Sequence, residues 1–177
     1  MKYIESGEYV GWKGMNLILS DYGYIGDEEN RDKPDGFYIG IHDEKYIDEE
    51  CYTEYGGTEY EYYSKPAKAE EIEYLYEISH YVCYENQKYK SFWASSSEEL
   101  MELFIDERRK DEYKDYDLHE IDRGVWIIRV PKNEVTLYET KIYYDKDKYI
   151  NENKRIVLSE ETYLIDEPWW FEETKDN

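Results

Sequence analysis

The sequence predicts an α+β fold, a mainly antiparallel sheet with about two helices, in a single domain over residues 1–177. Three observations carry this. Short runs in the first and last thirds alternate apolar and polar residues with period two, the mark of half-buried strands. Two central stretches space their apolar residues three and four apart, as helix faces do. Aromatic side chains supply the apolar area that the aliphatics lack. Leu, Ile, Val and Phe make up only 35 of 177 residues beside a formal charge of −22, a combination bordering on disorder. The chain also holds 23 Tyr and 5 Trp, and each aromatic ring buries about 150–250 Å².

Tyr9–Trp12 and Gly36–His42 read as strands, the second alternating Phe37, Ile39 and Ile41 against Tyr38, Gly40 and His42. Asn16–Tyr22 fits a strand or a short helix stopped at Gly23, and Asp27–Gly36 reads as a polar loop. Asp48–Pro66, DEECYTEYGGTEYEYYSKP, crowds six carboxylates and five tyrosines into nineteen positions around Gly56-Gly57, a two-residue turn signal. Pairing outward from that turn sets Tyr55 opposite Thr58, Glu54 opposite Glu59, Thr53 opposite Tyr60 and Tyr52 opposite Glu61. Cys51, Thr53, Tyr55, Thr58, Tyr60 and Tyr62 then face inward, and Glu54, Glu59 and Glu61 face outward beside Tyr52 and Tyr63.

A helix is expected from Ser64, with Pro66 in its first turn. Ile72, Leu75, Tyr76, Ser79, Val82 and Cys83 would face the core, and Glu70, Glu73, Tyr74, Glu77, Tyr81 and Glu85 would face out. A second helix is expected at Ser96, where Ser96-x-x-Glu99 matches a capping box. Leu100, Leu103 and Phe104 would form its stripe, with Arg108, Arg109 and Lys110 at its negative end. Gly124–Val130 reads as a central strand ended by Pro131, Glu134–Tyr144 as a longer strand, and Arg155–Leu158 and Thr162–Ile165 as shorter ones. Pro168-Trp169-Trp170-Phe171 is expected to plug the core, the alternative being an exposed docking patch.

No catalytic, cofactor-binding or metal-binding residue is assigned, and the chain is expected not to be an enzyme. His42, His80 and His119 form no ligand pair. His80 and Cys83, one turn apart on the expected helix, read as a structural pair, since an activated thiol needs positive charge nearby. Asp145-x-Asp147-x-Tyr149 opens like a calcium loop but places Ile150 where glycine is required and Ile156 where the bidentate glutamate is required. Cys51 and Cys83 have no redox or metal spacing, and neither a signal peptide nor a membrane-spanning run is seen. The cytoplasm of a bacterial host cell is the expected setting.

Charge is the most informative property. With 44 acidic residues against 22 basic ones, the chain repels nucleic acid and anionic membrane, and its complement is a basic protein surface. Carboxylates two apart on a strand stand about 6.6–6.8 Å apart, and those four apart on a helix rise about 6 Å, both of the order of phosphate steps along a nucleic-acid strand. Asp48, Glu49, Glu50, Tyr52, Glu54, Glu59, Glu61 and Tyr63, with Glu70, Glu73, Tyr74, Glu77 and Tyr81 from the expected helix, are therefore the candidate partner-binding residues. The profile as a whole resembles the DNA-mimic proteins of bacteriophages, including anti-restriction and anti-CRISPR inhibitors. It is also similar to small acidic immunity proteins that neutralise nuclease toxins. The resemblance implies an inhibitor seated on the basic groove of a nucleic-acid enzyme.

Tyr9–Ile25, YVGWKGMNLILSDYGYI, looks like the opening of ADP-ribosyltransferase domains, an aromatic-x-Gly strand followed by a helix ending in Gly. Ser95-Ser96-Ser97 before a helix, then the strand VWIIRV, fits the same layout. That family places a His or Arg near the position of Val10, which this chain lacks, and its catalytic glutamate maps to Glu152. This second resemblance implies an inactive relative.

Overall fold

The computed structural model describes residues 5–22, 35–56, 60–94 and 98–171. It is dominated by antiparallel sheet, and the chain is arranged in two compact units. The N-terminal unit holds Ser6–Ile78 and Lys141–Glu161; the central unit holds Met1–Glu5, Ser79–Thr140 and Thr162–Asn177.

The N-terminal unit begins with a hairpin, β1 (Gly7–Trp12) and β2 (Met15–Tyr22). Lys13 and Gly14 turn it with positive φ at both positions, 49° and 74°, the geometry that matches strand twist. The ladder sets Val10 opposite Leu17 and Trp12 opposite Met15, so the ambiguous stretch is a strand. The helix that the ADP-ribosyltransferase layout requires there is not formed. β3 (Gly36–Ile41) buries Phe37, Ile39 and Ile41, as their alternation predicts. It pairs with β5 (Tyr60–Pro66), which pairs with β4 (Tyr52–Gly56).

The first expected helix is instead the end of β5, a short 3-10 helix at Ala69–Glu71 and a long strand, β6 (Ile72–Tyr84). From Tyr76 to Tyr84 the buried residues of β6 are Tyr76, Ile78, His80, Val82 and Tyr84, a period of two, and the Tyr, Ile and Val content of the strand favours this. The false helical spacing comes from a bulge. Gly11 pairs with Tyr74 but Trp12 pairs with Ile72, so Glu73 is the extra residue. Ile72 and Leu75 thereby lie three apart and are both buried. The strand order is β6-β1-β2-β3-β5-β4. Val10, Trp12, Leu17, Ile39, Ile41 and Leu75 form the core, closed by Tyr144 and Tyr149.

The central unit contains β7 (Gln87–Tyr89), β8 (Phe92–Trp93), β9 (Leu100–Ile105), β10 (Leu118–Asp122) and β11 (Val125–Pro131). Residues of β6, β12 (Thr136–Tyr144) and β13 (Val157–Ile165) belong to both units, and β13 unites the two short strands expected at 155–158 and 162–165. A four-stranded sheet runs β10-β11-β9-β8. β11 is internal to it, with Ile127 and Ile128 fully buried. The second expected helix is β9, where Met101, Leu103 and Ile105 are buried in alternation; Ser96 of the capping box lies outside the described residues. Arg108, Arg109 and Lys110 fall in a 3-10 helix, Glu107–Tyr113, capped by Asp106. Trp170 is buried with Met101, Leu103, Ile128 and Leu137. Trp169 meets it edge-on at 4.7 Å, so this segment plugs the core.

The one α-helix among the described residues, α1 (Lys146–Glu152), lies in the N-terminal unit. Asp145 caps it, accepting from the Lys148 amide, and Asn153 closes it in the left-handed region. Asp145-x-Asp147-x-Tyr149 is therefore a helix start, with Tyr149 packed on Phe37 and Tyr144.

Candidate partner-binding surface

The head of the acidic run is an ion cluster. Lys65 is only 5% exposed, and a buried ammonium requires partners. Its Nζ lies 2.5 Å from Asp48 Oδ2 and 3.2 Å from Glu50 Oε2, while Lys68 Nζ lies 2.8 Å from Glu50. Lys65 holds the Asp48 carboxyl below its usual range, and Lys68, then Lys65, does the same for Glu50. Glu49 is exposed. Cys51 donates to Asp48 Oδ1, and burial above all pushes its thiol pKa up, the opposite of an activated nucleophile.

The hairpin exists, but its register differs from the expected one. Glu54 pairs with Tyr62, Tyr55 with Glu61, and the ladder reaches Gly56↔Tyr60. Glu59 lies outside the described residues. Glu54 stands opposite Tyr62 in place of the expected apposition with Glu59. Turn composition does not decide the register here. β5 is fixed on its other side by Ile41↔Tyr63 and Ile39↔Lys65, which sets Lys65 beside its carboxylates. Tyr52 and Tyr63, expected to face outward, are half-buried, Tyr52 edge-on to Tyr38 at 5.8 Å and Tyr63 against the N-terminal core.

The residues expected on the outer helix face have separate tasks. Glu70 is exposed on its 3-10 turn. Glu73, the bulge residue, accepts from the Gly14 amide at 3.0 Å. Tyr74 donates to Asn16 Oδ1 at 2.8 Å and lies over Gly11, where a Cβ would stand 2.5 Å from its ring. Tyr81 stacks on Tyr138 at 5.1 Å and carries the Lys88 ammonium 3.5 Å above its ring. Glu77 stands directly opposite Glu8, a like-charge pair that Arg155 relieves, 2.5 Å from Glu8 and 3.7 Å from Glu77. Tyr144 donates to Glu77 at 2.8 Å, and burial, then Glu77, pushes its pKa up to about 12. Arg155→Met should therefore destabilise the protein by about 0.5–1 kcal/mol. Adding Glu77→Gln should restore most of the loss, as read from urea midpoints at constant salt.

The candidates whose side chains are described thus divide between an ion cluster, the N-terminal core and the β6 ladder. What the structure adds is the disposition of the cations. Arg129 pairs with Glu102 and Arg109 with Glu112, and Glu152 holds both Lys148 and Lys154. Others sit over rings: Lys13 over Trp12 at 4.1 Å, Lys141 over Tyr76 at 3.9 Å and Lys110 over Trp126 at 4.8 Å. A cation over an aromatic face is held against the fold, and with 44 acidic residues against 22 basic ones the acid excess remains whatever the cations contact.

Sequence reasoning missed a groove of about 860 Å³ in the central unit. It lies on the face of β9 opposite the core, where Trp93 and Arg129 flank Glu102 across the strands. Leu100 and Phe104 supply apolar walls, and Glu98 and Glu99 supply negative charge beyond the Glu102–Arg129 pair. Carboxylates beside an exposed indole suit a cationic side chain. Reading 100–105 with period two would have separated these residues from Met101, Leu103 and Ile105.

His80 and Cys83, three apart on β6, point to opposite faces, so the expected pair is not formed. His80 Nε2 lies 3.3 Å from Glu139 Oε2, with both side chains about 95% buried (4% and 5% exposed). Burial lowers the His80 pKa against the pull of Glu139. Among the described residues no cluster of His, Cys, Asp and Glu could hold a metal ion, and no helix is long and apolar enough to cross a membrane.

Searches of curated proteins and of solved structures returned no match. The family described as Uncharacterised conserved protein UCP033725 matches residues 30–147, well over half of the chain. The chain belongs to that family of uncharacterised conserved proteins.

Proposed function

We propose that this protein is a non-enzymatic acidic inhibitor that binds the basic nucleic-acid-binding surface of a bacterial defence nuclease in the cytoplasm, as a nucleic-acid mimic. One observation supports the reading above others. Against a net charge of −22, many of the cations are already engaged by carboxylates or aromatic rings within the fold. Even with every cation paired, 44 acidic residues against 22 basic ones leave an excess of carboxylates, which steers encounter with a basic surface. The central-unit groove adds a second feature, two carboxylates beside an exposed tryptophan. The original hairpin surface contributes less than its composition promises, because Asp48 and Glu50 already hold lysines.

The test is affinity capture from a bacterial lysate at about 50 mM and about 200 mM salt. A nucleic-acid enzyme retained at low salt and lost at the higher one is the expected result, since interactions across a wide charged surface are screened by salt. Charge reversal at Glu98 and Glu99 should weaken retention. A partner whose retention ignores both changes would sink the reading. An immunity protein presents the same chemistry to a toxin nuclease, and the identity of the retained enzyme separates the two.

A further inference from the structure

β13 is the terminal strand of its sheet, next to β12 and with no strand on its other side among the described residues. An edge strand presents a row of unpaired N–H and C=O groups, and proteins ordinarily blunt such edges with lysine, proline, bulges or short length. β13 is nine residues long and contains neither lysine nor proline. Its N-terminal-unit portion is exposed on both faces. Ile156, Val157 and Leu158 are 48%, 54% and 66% exposed, three consecutive apolar residues in an otherwise highly charged chain. Glu160 and Glu161 follow, both exposed.

We infer that Val157–Glu161 is a docking edge that takes an extended, lysine- or arginine-bearing segment of the partner as an added strand. The inference rests on the basic-partner reading above and specifies how that partner is engaged. Backbone hydrogen bonds to the edge would supply affinity, and alternate side chains specificity. Apolar residues of the incoming strand would lie beside Val157 and Leu158, and cationic ones beside Glu160 and Glu161, since opposite charges across a ladder attract. Charge also selects the occupant. A second copy carries −22 as well, and antiparallel pairing of two copies about Ser159 sets Glu160 opposite Leu158 and Glu161 opposite Val157, charge against apolar side chain. That mismatch and the shared charge disfavour copies of this chain, whereas a basic strand offers the glutamates cations.

The probe is a seven-residue peptide alternating valine and lysine, added to the full-length protein. Three comparison peptides accompany it: one with glutamate for lysine, one with arginine for lysine, and one N-methylated at alternate residues so that it cannot complete a ladder. Hydrogen exchange should show protection of amides within 157–161 with the lysine and arginine peptides. Neither the glutamate nor the N-methylated peptide should protect them. Glu160→Lys with Glu161→Lys should weaken binding of the lysine peptide roughly tenfold. Protection elsewhere, equal binding of the N-methylated or glutamate peptide, or concentration-dependent dimerisation through this strand would overturn the inference. If lysate capture succeeds while the peptide leaves β13 unprotected, the docking edge fails and the basic-partner reading stands. If capture fails while β13 is protected by the lysine peptide alone, the edge stands and the nuclease reading fails.

Discussion

Trp170→Ala is expected to destabilise the protein by about 3–5 kcal/mol, the cost of emptying an indole-sized space in a packed core. Trp170 is 2% exposed, and its neighbours are in place on several sides: Trp169 at 4.7 Å, Phe92 at 6.2 Å, and Met101, Leu103 and Leu137 within the same cluster. Those neighbours are carried largely by strands whose ladders fix their spacing, so the cavity has little room to collapse. Trp170→Phe, which refills most of the space, should recover more than half of the loss. Urea unfolding followed by far-UV circular dichroism measures both. A loss below about 1 kcal/mol would mean that the Pro168–Trp170 segment is a surface patch.

Removing one member of the buried His80–Glu139 pair should have the next largest effect. His80→Leu leaves Glu139, itself 3% exposed, without its imidazole partner, and a buried polar group left unsatisfied in this way costs about 1–3 kcal/mol, more when it is charged. The pH dependence has a definite sign. Burial, outweighing Glu139, lowers the folded-state pKa of His80 below the ordinary value of 6.5. The unfolded chain therefore binds the proton first as pH falls. The contribution of His80 is fully present above about pH 6.5 and is lost as pH drops through the folded value. The gap in stability between wild type and His80→Leu should be widest near pH 7.5 and narrow toward pH 5. Taking the difference cancels the general relief of acidic repulsion that both proteins share. A gap that widens on acidification would contradict the assignment.

The strands that were legible in the sequence are those with a simple apolar signature. Phe37, Ile39 and Ile41 alternate along β3, and the run at Val125–Val130 is apolar on both faces because it is internal to a sheet. The two expected helices failed for separate reasons. At Ile72–Leu75 a bulge at Glu73 inserts one residue into the alternation and counterfeits a helical interval. At Leu100–Ile105 both strand faces carry apolar residues, Met101 and Leu103 in the core and Leu100 and Phe104 in the groove. Leu100, Leu103 and Phe104 together then mimic a stripe. The acidic surface was legible as composition but not as geometry, because what neutralises a carboxylate is set by tertiary pairing. Lys65 and Lys68 lie 17 and 18 residues from Asp48 and Glu50, and Arg155 lies 147 residues from Glu8. The edge position of β13 follows from strand order, which its own residues do not encode.

The proposed nucleic-acid mimicry makes this protein and nucleic acid rivals for one basic surface, and competition tests it. The complex captured from lysate at about 50 mM salt is titrated with duplex DNA, and the fraction of partner retained is followed. The expected result is displacement that rises with DNA concentration and is matched, at equal charge, by release of DNA when the protein is titrated into a partner–DNA complex. A ternary assembly of partner, DNA and this protein, with no displacement in either direction, would contradict it.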